Sequence, residues 1–388
     1  MLGSFRFGAV AFAGAGLLMA ATGLLSTVIS LRVGEAGAAA RGAILAAYYV
    51  GLLIGARWCG LLIRRVGHIR AFATLCLSAA ACALGHGLVV HSLGWLVLRA
   101  SCGFCLAGLF MVLESWLCDR SGPRALGRTA AAYVVVLQLG LGLGQVVVPV
   151  VGTTGDRPFS IAAVLLCLAA LPVLVTTQTE PAMARHRRLG VVSVASRFPL
   201  AVAAACASGV LSGAMVTLGP IFAERMGLSL AQISAYVVVL AVGGTLLQAP
   251  LSLASDERPR PSLLAIAAGG VFVASVSLAL HPSPGALTWY LVTALLGGSA
   301  FSLYPLALAH ANDEAAPWER VDLSAALLAA WAFSAAAGTI VGSWSMSAFG
   351  PVGLLATTAL TAIGLLAFCA SRRAPAGTRS RIGQRGTG

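Results

Sequence analysis

The chain has no lysine: every one of its 25 basic residues is an arginine. Chemistry that needs a lysine amine, whether a Schiff base or a phosphate-binding loop, is therefore excluded. Charge of any kind is scarce. Charged residues fill 10% of the 388 positions, and only 12 of them are acids, whereas a soluble domain carries about 25% charged residues. So little charge cannot cover the surface of a soluble chain this long. A soluble enzyme, a disordered chain and a nucleic-acid binder are all excluded. The six histidines show no HxxxH or HExxH spacing. The nine cysteines are odd in number and lie mostly in apolar runs, which does not suggest a disulfide framework. Cys102 and Cys105 form a CxxC, but among the small residues of an apolar helix the packing reading outweighs a redox or metal one. No nucleotide-binding loop, metal-ligand cluster or nucleophile–base constellation is present. That argues against a nucleotide-driven pump and against a membrane enzyme, and it implies no cofactor and no metal.

What the chain has is apolar length. Hydrophobic residues make up 59% of it, and its mean hydropathy is +0.93. Twelve apolar segments are predicted, at 8–31, 42–63, 71–90, 95–117, 129–152, 158–176, 199–222, 231–251, 263–280, 286–309, 323–348 and 351–370. Each is near the length that spans a bilayer as a helix. The first is longer than the apolar core of about 7–15 residues in a cleaved leader, so it reads as a span. The expected fold is an all-α membrane protein of twelve transmembrane helices in two pseudo-symmetric six-helix bundles. Residues 1–176 would form the first bundle, 177–198 a basic cytoplasmic linker, 199–371 the second bundle and 372–388 a disordered basic tail.

An even number of spans puts both termini on one side. Nineteen arginines fall in the loops and tails on that side. Only Arg32, Arg41, Arg157 and Arg225 fall on the other, and Arg57 and Arg99 lie inside segments. By the positive-inside rule the termini are cytoplasmic. The high positive charge is therefore a topology signal, with at most a weak affinity for anionic lipid.

The halves also repeat. The loop after the second segment runs from Gly60 through Arg64, Arg65, Gly67 and His68 to Arg70. The loop after the eighth carries Asp256, Glu257, Arg258 and Arg260 at the matching place. Two six-helix halves with matching short basic loops form the pattern of a parallel-repeat transporter. At this point the chain resembles the major facilitator superfamily. Gly60, Arg65 and Gly67 match that superfamily's G-x-x-x-D-R-x-G-R-R loop, with Arg64 in place of the aspartate and His68 in place of one basic residue. Arg99-Ala-Ser-Cys-Gly103 matches its R-x-x-x-G pattern in the fourth helix. Gly140, Gly142, Gly144 and Pro149 resemble the exporters' glycine–proline motif without its Gly-Pro pair. Three strings, RRVGHIRAFA at 64–73, LESWL at 113–117 and LYPLALAHANDE at 303–314, are similar to the bacterial YcaD-like branch, whose substrate is unassigned. The resemblance implies a transporter fold in a bacterial inner membrane.

Few polar residues lie inside the segments, and each invites a role. Arg99 is a candidate anchor for an anionic substrate group or a carboxylate partner, against the alternative of snorkelling to the headgroups. Gln138 and Gln145 share one helical face and should meet either the cavity or another helix. Gln248, Tyr304 and Trp331 are further cavity candidates, while Tyr48 and Tyr49 suit core or cavity. Glu114 is the only acid inside a predicted span. It suits a gate ion pair with Arg64, Arg65 or Arg120 better than proton coupling. Gly67 belongs to the same loop. Asp256, Arg258, His310 and Asp313 are the matching gate candidates of the second half, with Asp313 or Glu314 facing Arg258, Arg260 or Arg320. Gly140, Gly142 and Gly144 are expected to let the fifth and eighth segments approach closely. When the cavity opens inward, the outer side is expected to close through apolar and small residues.

The function expected is secondary transport of a small, neutral or weakly anionic organic solute by alternating access, by a monomer without enzymatic activity. Proton coupling stays open, since no acid lies at mid-bilayer. A facilitative uniporter fits equally, and a non-transporting receptor or scaffold on the same fold is a further alternative.

Overall fold

A computed structural model describes residues 2–89, 91–120, 126–175, 191–254, 258–281, 287–316 and 319–372. The described residues are helical throughout, with no strand. In chain order the helices are α1 (Leu2–Arg32), α2 (Ala38–Val66), α3 (His68–Leu88), α4 (Ser92–Arg120), α5 (Leu126–Val151), α6 (Arg157–Leu174) and α7 (Val191–Arg197). They continue as α8 (Pro199–Ser212), α9 (Leu218–Arg225), α10 (Leu230–Ala254), α11 (Arg260–Leu280), α12 (Leu287–Glu314), α13 (Arg320–Phe349) and α14 (Val352–Arg372). Twelve spans long and apolar enough to cross a membrane result, with α8 and α9 forming one span. All twelve predicted segments are present. The short α7 falls inside the predicted linker, most of which lies outside the described residues, as does the tail.

The breaks between helices follow from backbone chemistry. Gly67 ends α2 at φ 87°, and Gly350 ends α13 at φ 67° before Pro351. Only glycine adopts such values without strain. One span was not foreseen in detail. Gly213–Thr217 forms a π-turn between α8 and α9. The Gly213 carbonyl accepts a hydrogen bond from Thr339 Oγ1 of α13 at 3.1 Å as well as one from its own Thr217. A side chain on Gly213 would run into the Ala335 carbonyl, so this turn exists where α8 and α13 nearly touch.

Lipid removes the hydrophobic drive between helices, so close backbone packing has to hold them together. In the first half α2 packs on α4, α1 on α5 and α6, and α3 on α4 and α6. The second half repeats the scheme: α10 on α12, α8 on α13 and α14, α11 on α12 and α14. The tightest contacts repeat as well. A Cβ on Gly51 would overlap the Ala100 carbonyl and one on Gly103 that of Tyr48. At the matching positions, Gly243 meets the Ala294 carbonyl and Gly297 that of Leu240. The two halves then join through α2 against α13, α5 against α10 and α1 against α9.

The glycines of α5 correct one expectation. Gly140 abuts Gly16 and Gly144 abuts Ala20, so they bring α5 onto α1 and not onto the eighth span. Gly142 has open space around it. A glycine run signals a close neighbour but carries no information on which one. Gly51→Ala is therefore expected to lower stability by about 1–3 kcal/mol, the usual cost of overpacking. Gly142→Ala should leave it unchanged or slightly raised. Thermal unfolding of the two variants in detergent checks this, and equal midpoints would contradict the packing.

Candidate functional site

A cavity of about 2030 Å³ lies between the halves. It is lined mainly by α1, α2, α4 and α5 on one side and by α8, α10 and α13 on the other, with single residues from α3, α6 and α12. Its wall reaches Arg64 on α2, Glu114 and Ser115 on α4, and Asp322 on α13. These residues lie at the end of the molecule where α1 begins and α14 ends, the terminal end. Toward the opposite end the wall stops at Ser26, Tyr48, Arg99, Gln145, Thr217 and Val237. The cavity is thus open at the terminal end and blind at the other.

Arg99 stands at the blind end. It is 4% exposed, and its Nε makes no hydrogen bond. Its guanidinium lies over the Tyr48 ring, 4.7 Å from the centroid. The sequence sets this up locally. Gly103, one turn further along α4, lets the α2 backbone come in at Tyr48. An aromatic series continues from there across the interface. Tyr48 meets Tyr49 at 5.3 Å, Tyr49 meets Trp331 of α13 at 5.9 Å, and Trp331 meets Tyr304 of α12 at 6.4 Å. Tyr48, Tyr49 and Trp331 line the cavity; Tyr304 is not among its wall residues and meets them through Trp331.

The glutamines are both in the wall and already bonded. Gln138 donates across the two halves to the Ala241 carbonyl at 3.1 Å and to Thr245 Oγ1 at 3.3 Å. Gln145 accepts from Thr27 at 2.9 Å and donates to the Gly23 carbonyl at 2.8 Å, both on α1. Gln248 lines the wall of α10.

At the open end the predicted gate residues are mostly apart. Glu114 and Arg64 line the mouth, but neither forms an ion pair among the described residues. Arg65 and Arg258 are exposed, His310 is half-buried, and Gly67 makes the α2–α3 turn. Asp256 and the side chain of Arg120 lie outside the described residues. Asp313 pairs with Arg260 at 2.6 Å. Both belong to the second half, so this pair ties α11 to α12 and cannot by itself lock the halves. The α7 helix is held separately: Arg197 bonds Glu319 at 2.6 Å, and Glu319 also accepts the Ala316 N–H at 3.1 Å. The Arg197 bond, more than the backbone one, holds the Glu319 carboxyl below the usual carboxylate range. The pair therefore contributes at neutral pH and is lost as pH falls through that lowered value.

The opposite end corrects the expectation of an apolar seal. Arg41 at the start of α2 is 1% exposed. It donates to Ser343 Oγ at 3.0 Å, to the Ser343 carbonyl at 2.9 Å and to Ser347 Oγ at 2.7 Å, all on α13. It also donates to the carbonyls of Gly34 and Ala36 at 3.0 and 3.2 Å. Arg225 at the end of α9 reaches the same Gly34 carbonyl at 3.2 Å. Gly42 lets α13 approach at Ser343 and Ile340. By sequence Arg41 is one of the four arginines on the side opposite the termini, with no partner indicated. The signal available was Ser343 and Ser347, one turn apart at the same end of the eleventh segment.

Comparison with known proteins agrees with this geometry. A family model described as the Major Facilitator Superfamily matches residues 7–339. A protein of Escherichia fergusonii, described as an uncharacterized MFS-type transporter YcaD, is 26% identical over 299 residues, 76% of this chain and 77% of its own. Among solved structures, the nucleoside transporter NupG superposes with a TM-score of 0.74 at 12% identity, over 96% of this chain and 98% of its own. A D-xylose-proton symporter gives a TM-score of 0.71 at 15% identity, over 93% and 97%. These structural likenesses establish the fold.

Hydrogen bonds from a charged donor contribute about 1.5–3 kcal/mol each. Removing the Arg41 set should therefore shift any open–closed balance by at least about tenfold. In Arg41→Met, a cysteine placed at Ser26 in a cysteine-free background should react about tenfold faster with an impermeant maleimide applied opposite the termini. An unchanged rate would contradict the role of Arg41 in the seal.

Proposed function

Because the chain belongs to the Major Facilitator Superfamily, we propose that it is a secondary transporter that carries a small organic solute across the bacterial inner membrane by alternating access. The observation that carries this reading is the cavity between the halves, open at one end and sealed at the other by Arg41. With the termini assigned to the cytoplasm by the arginine bias, this conformation is inward-open. The solute binds near the blind end. The bundles then rock about α2–α13 and α5–α10, the Arg41 bonds part, and the cytoplasmic mouth closes.

Closing that mouth brings charges of opposite sign together across the halves. Arg64 and Glu114 line it on the first half, and Asp322 lines it on the second. Arg320 begins α13 beside it. Arg64 with Asp322 is the pair that spans the halves, and Glu114 supplies an acid on the first half for Arg320. Such pairs exist only in the outward-open state, so they bias the balance without contributing to the inward one.

Uniport is the second reading. The acids of the cavity wall, Glu114 and Asp322, lie at the mouth, and the blind end has none among the described residues. A protonatable carboxyl beside the solute is therefore missing from that part of the wall.

Solute accumulation in a deletion strain, measured over a broad metabolite panel, tests transport directly. Saturable flux in proteoliposomes is expected for the solute it identifies. Tight binding without flux would instead indicate a receptor on this fold. Within the mechanism, Glu114→Gln and Asp322→Asn should each favour the inward-open state and raise labelling of a Ser26→Cys protein from the terminal side. The exchange Arg64→Asp with Asp322→Arg should restore the original balance. Unchanged labelling together with normal flux in the single variants would remove the mouth pairs from the account.

A further inference from the structure

Two arginines are buried between these helices, and their surroundings differ. Arg41 has its donors satisfied by serines and carbonyls. Arg99 has no hydrogen bond or ion pair among the described residues and only the Tyr48 ring beneath it. An unpaired buried cation is costly, and in a membrane it points to a partner that comes and goes. The nearest acid on its own helix that lines the cavity, Glu114, is fifteen residues on, roughly 22 Å along α4. The counterpart of Arg99 in the second half is Thr293, fully buried and bonded to the Trp289 carbonyl. The cation is therefore a feature of one half alone and not part of the shared packing scheme.

The walls around Arg99 narrow the partner's chemistry. One face of the guanidinium is covered by Tyr48, which leaves its edge N–H groups to take a planar carboxylate in a two-point bond. Further cations of the wall, Arg57 and Arg64, sit nine and sixteen residues beyond Tyr48 on α2, roughly 14 and 24 Å away. One negative charge is matched there and a second is not. Tyr48, under the cation, continues through Tyr49 to Trp331, all three in the cavity wall, and neither tyrosine hydroxyl is bonded among the described residues.

We propose that the blind end of the cavity binds an aromatic monocarboxylate, with its carboxylate on the Arg99 guanidinium and its ring against Tyr48, Tyr49 and Trp331. This deepens the reading of the cavity as a transport site and rests on it. The ion pair would supply the charge that Arg99 lacks. The rings supply area, and Trp331, which belongs to the other half, makes the bound solute a bridge between bundles. A bridging ligand interacts differently with the two states, which is what a transported solute requires.

Calorimetric binding to the purified protein in nanodiscs tests the proposal with benzoate, indole-3-acetate, benzamide, benzylamine and cyclohexanecarboxylate. Both aromatic acids should saturate. Benzamide should bind at least about tenfold more weakly than benzoate, cyclohexanecarboxylate should fall between them, and benzylamine should not bind. Arg99→Gln should erase the preference for acid over amide and Arg99→Lys should restore part of it. Trp331→Leu should narrow only the gap between benzoate and cyclohexanecarboxylate. Benzamide binding as tightly as benzoate, or an acid–amide ratio unchanged in folded Arg99→Gln, would overturn the proposal. So would the absence of binding by both aromatic acids in protein that labels normally at Ser26→Cys. The wild-type comparisons decide the matter even where Arg99→Gln does not fold. Failure here leaves the transport reading standing, because accumulation and flux of some other solute would still show it.

Discussion

Helix α2 is held on two faces by two different kinds of contact. On one face Gly51 and Gly55 let the α4 backbone approach so closely that a side chain at either position would collide with it. That contact is fixed, because no rearrangement of side chains can replace missing room. On the other face Arg41 grips α13 through hydroxyls and a carbonyl, which are directional bonds that can break and re-form. The first contact fixes α2 to α4 within one half. The second joins that half to the other in a way that lets them part. The rocking proposed above needs a rigid contact within a half and a breakable one between halves, and α2 carries a contact of each kind.

Charge inside the lipid-facing shell is divided with equal economy. A buried cation whose donors are all satisfied holds structure; one that lacks partners leaves room for the ligand proposed above. Arg41 and Arg99 fall on opposite sides of that line, although both are arginines near the same end of the molecule. Gln138 and Gln145 fall with Arg41: they line the cavity, yet their amides are committed to neighbouring helices. These two amides are thus structural, and in the proposal above Arg99 is the group that selects the ligand.

Much of this was legible in the sequence. The spans could be counted because bilayer thickness fixes their length, and the two halves could be paired because their basic loops recur. The depth of Arg99 followed from its place in an apolar run. The partners of particular residues were not legible. Gly140 and Gly144 announce a close helix, but α1 and the eighth span are equally good neighbours for a glycine. Arg41 counts in the sequence only as one of four arginines on the far side, because the serines that satisfy it lie some three hundred residues later. The gate read at Glu114 is not formed among the described residues, so it stays a proposal for the other conformation. Asp256 and the side chain of Arg120 lie outside the described residues, so their part in that gate rests on sequence reasoning.

The central claim is that the two bundles move as bodies, so that closing one end opens the other. Electron–electron dipolar distances measure this directly, with spin-label pairs across the halves at each end. Residues 35 and 229 serve the sealed end, and residues 70 and 258 serve the open one, all four being exposed. Two populations are predicted at each end, with the short distance at one pair matched in fraction to the long distance at the other, and with ligand shifting both together. A single unvarying distance at both ends, with or without ligand, would contradict the account.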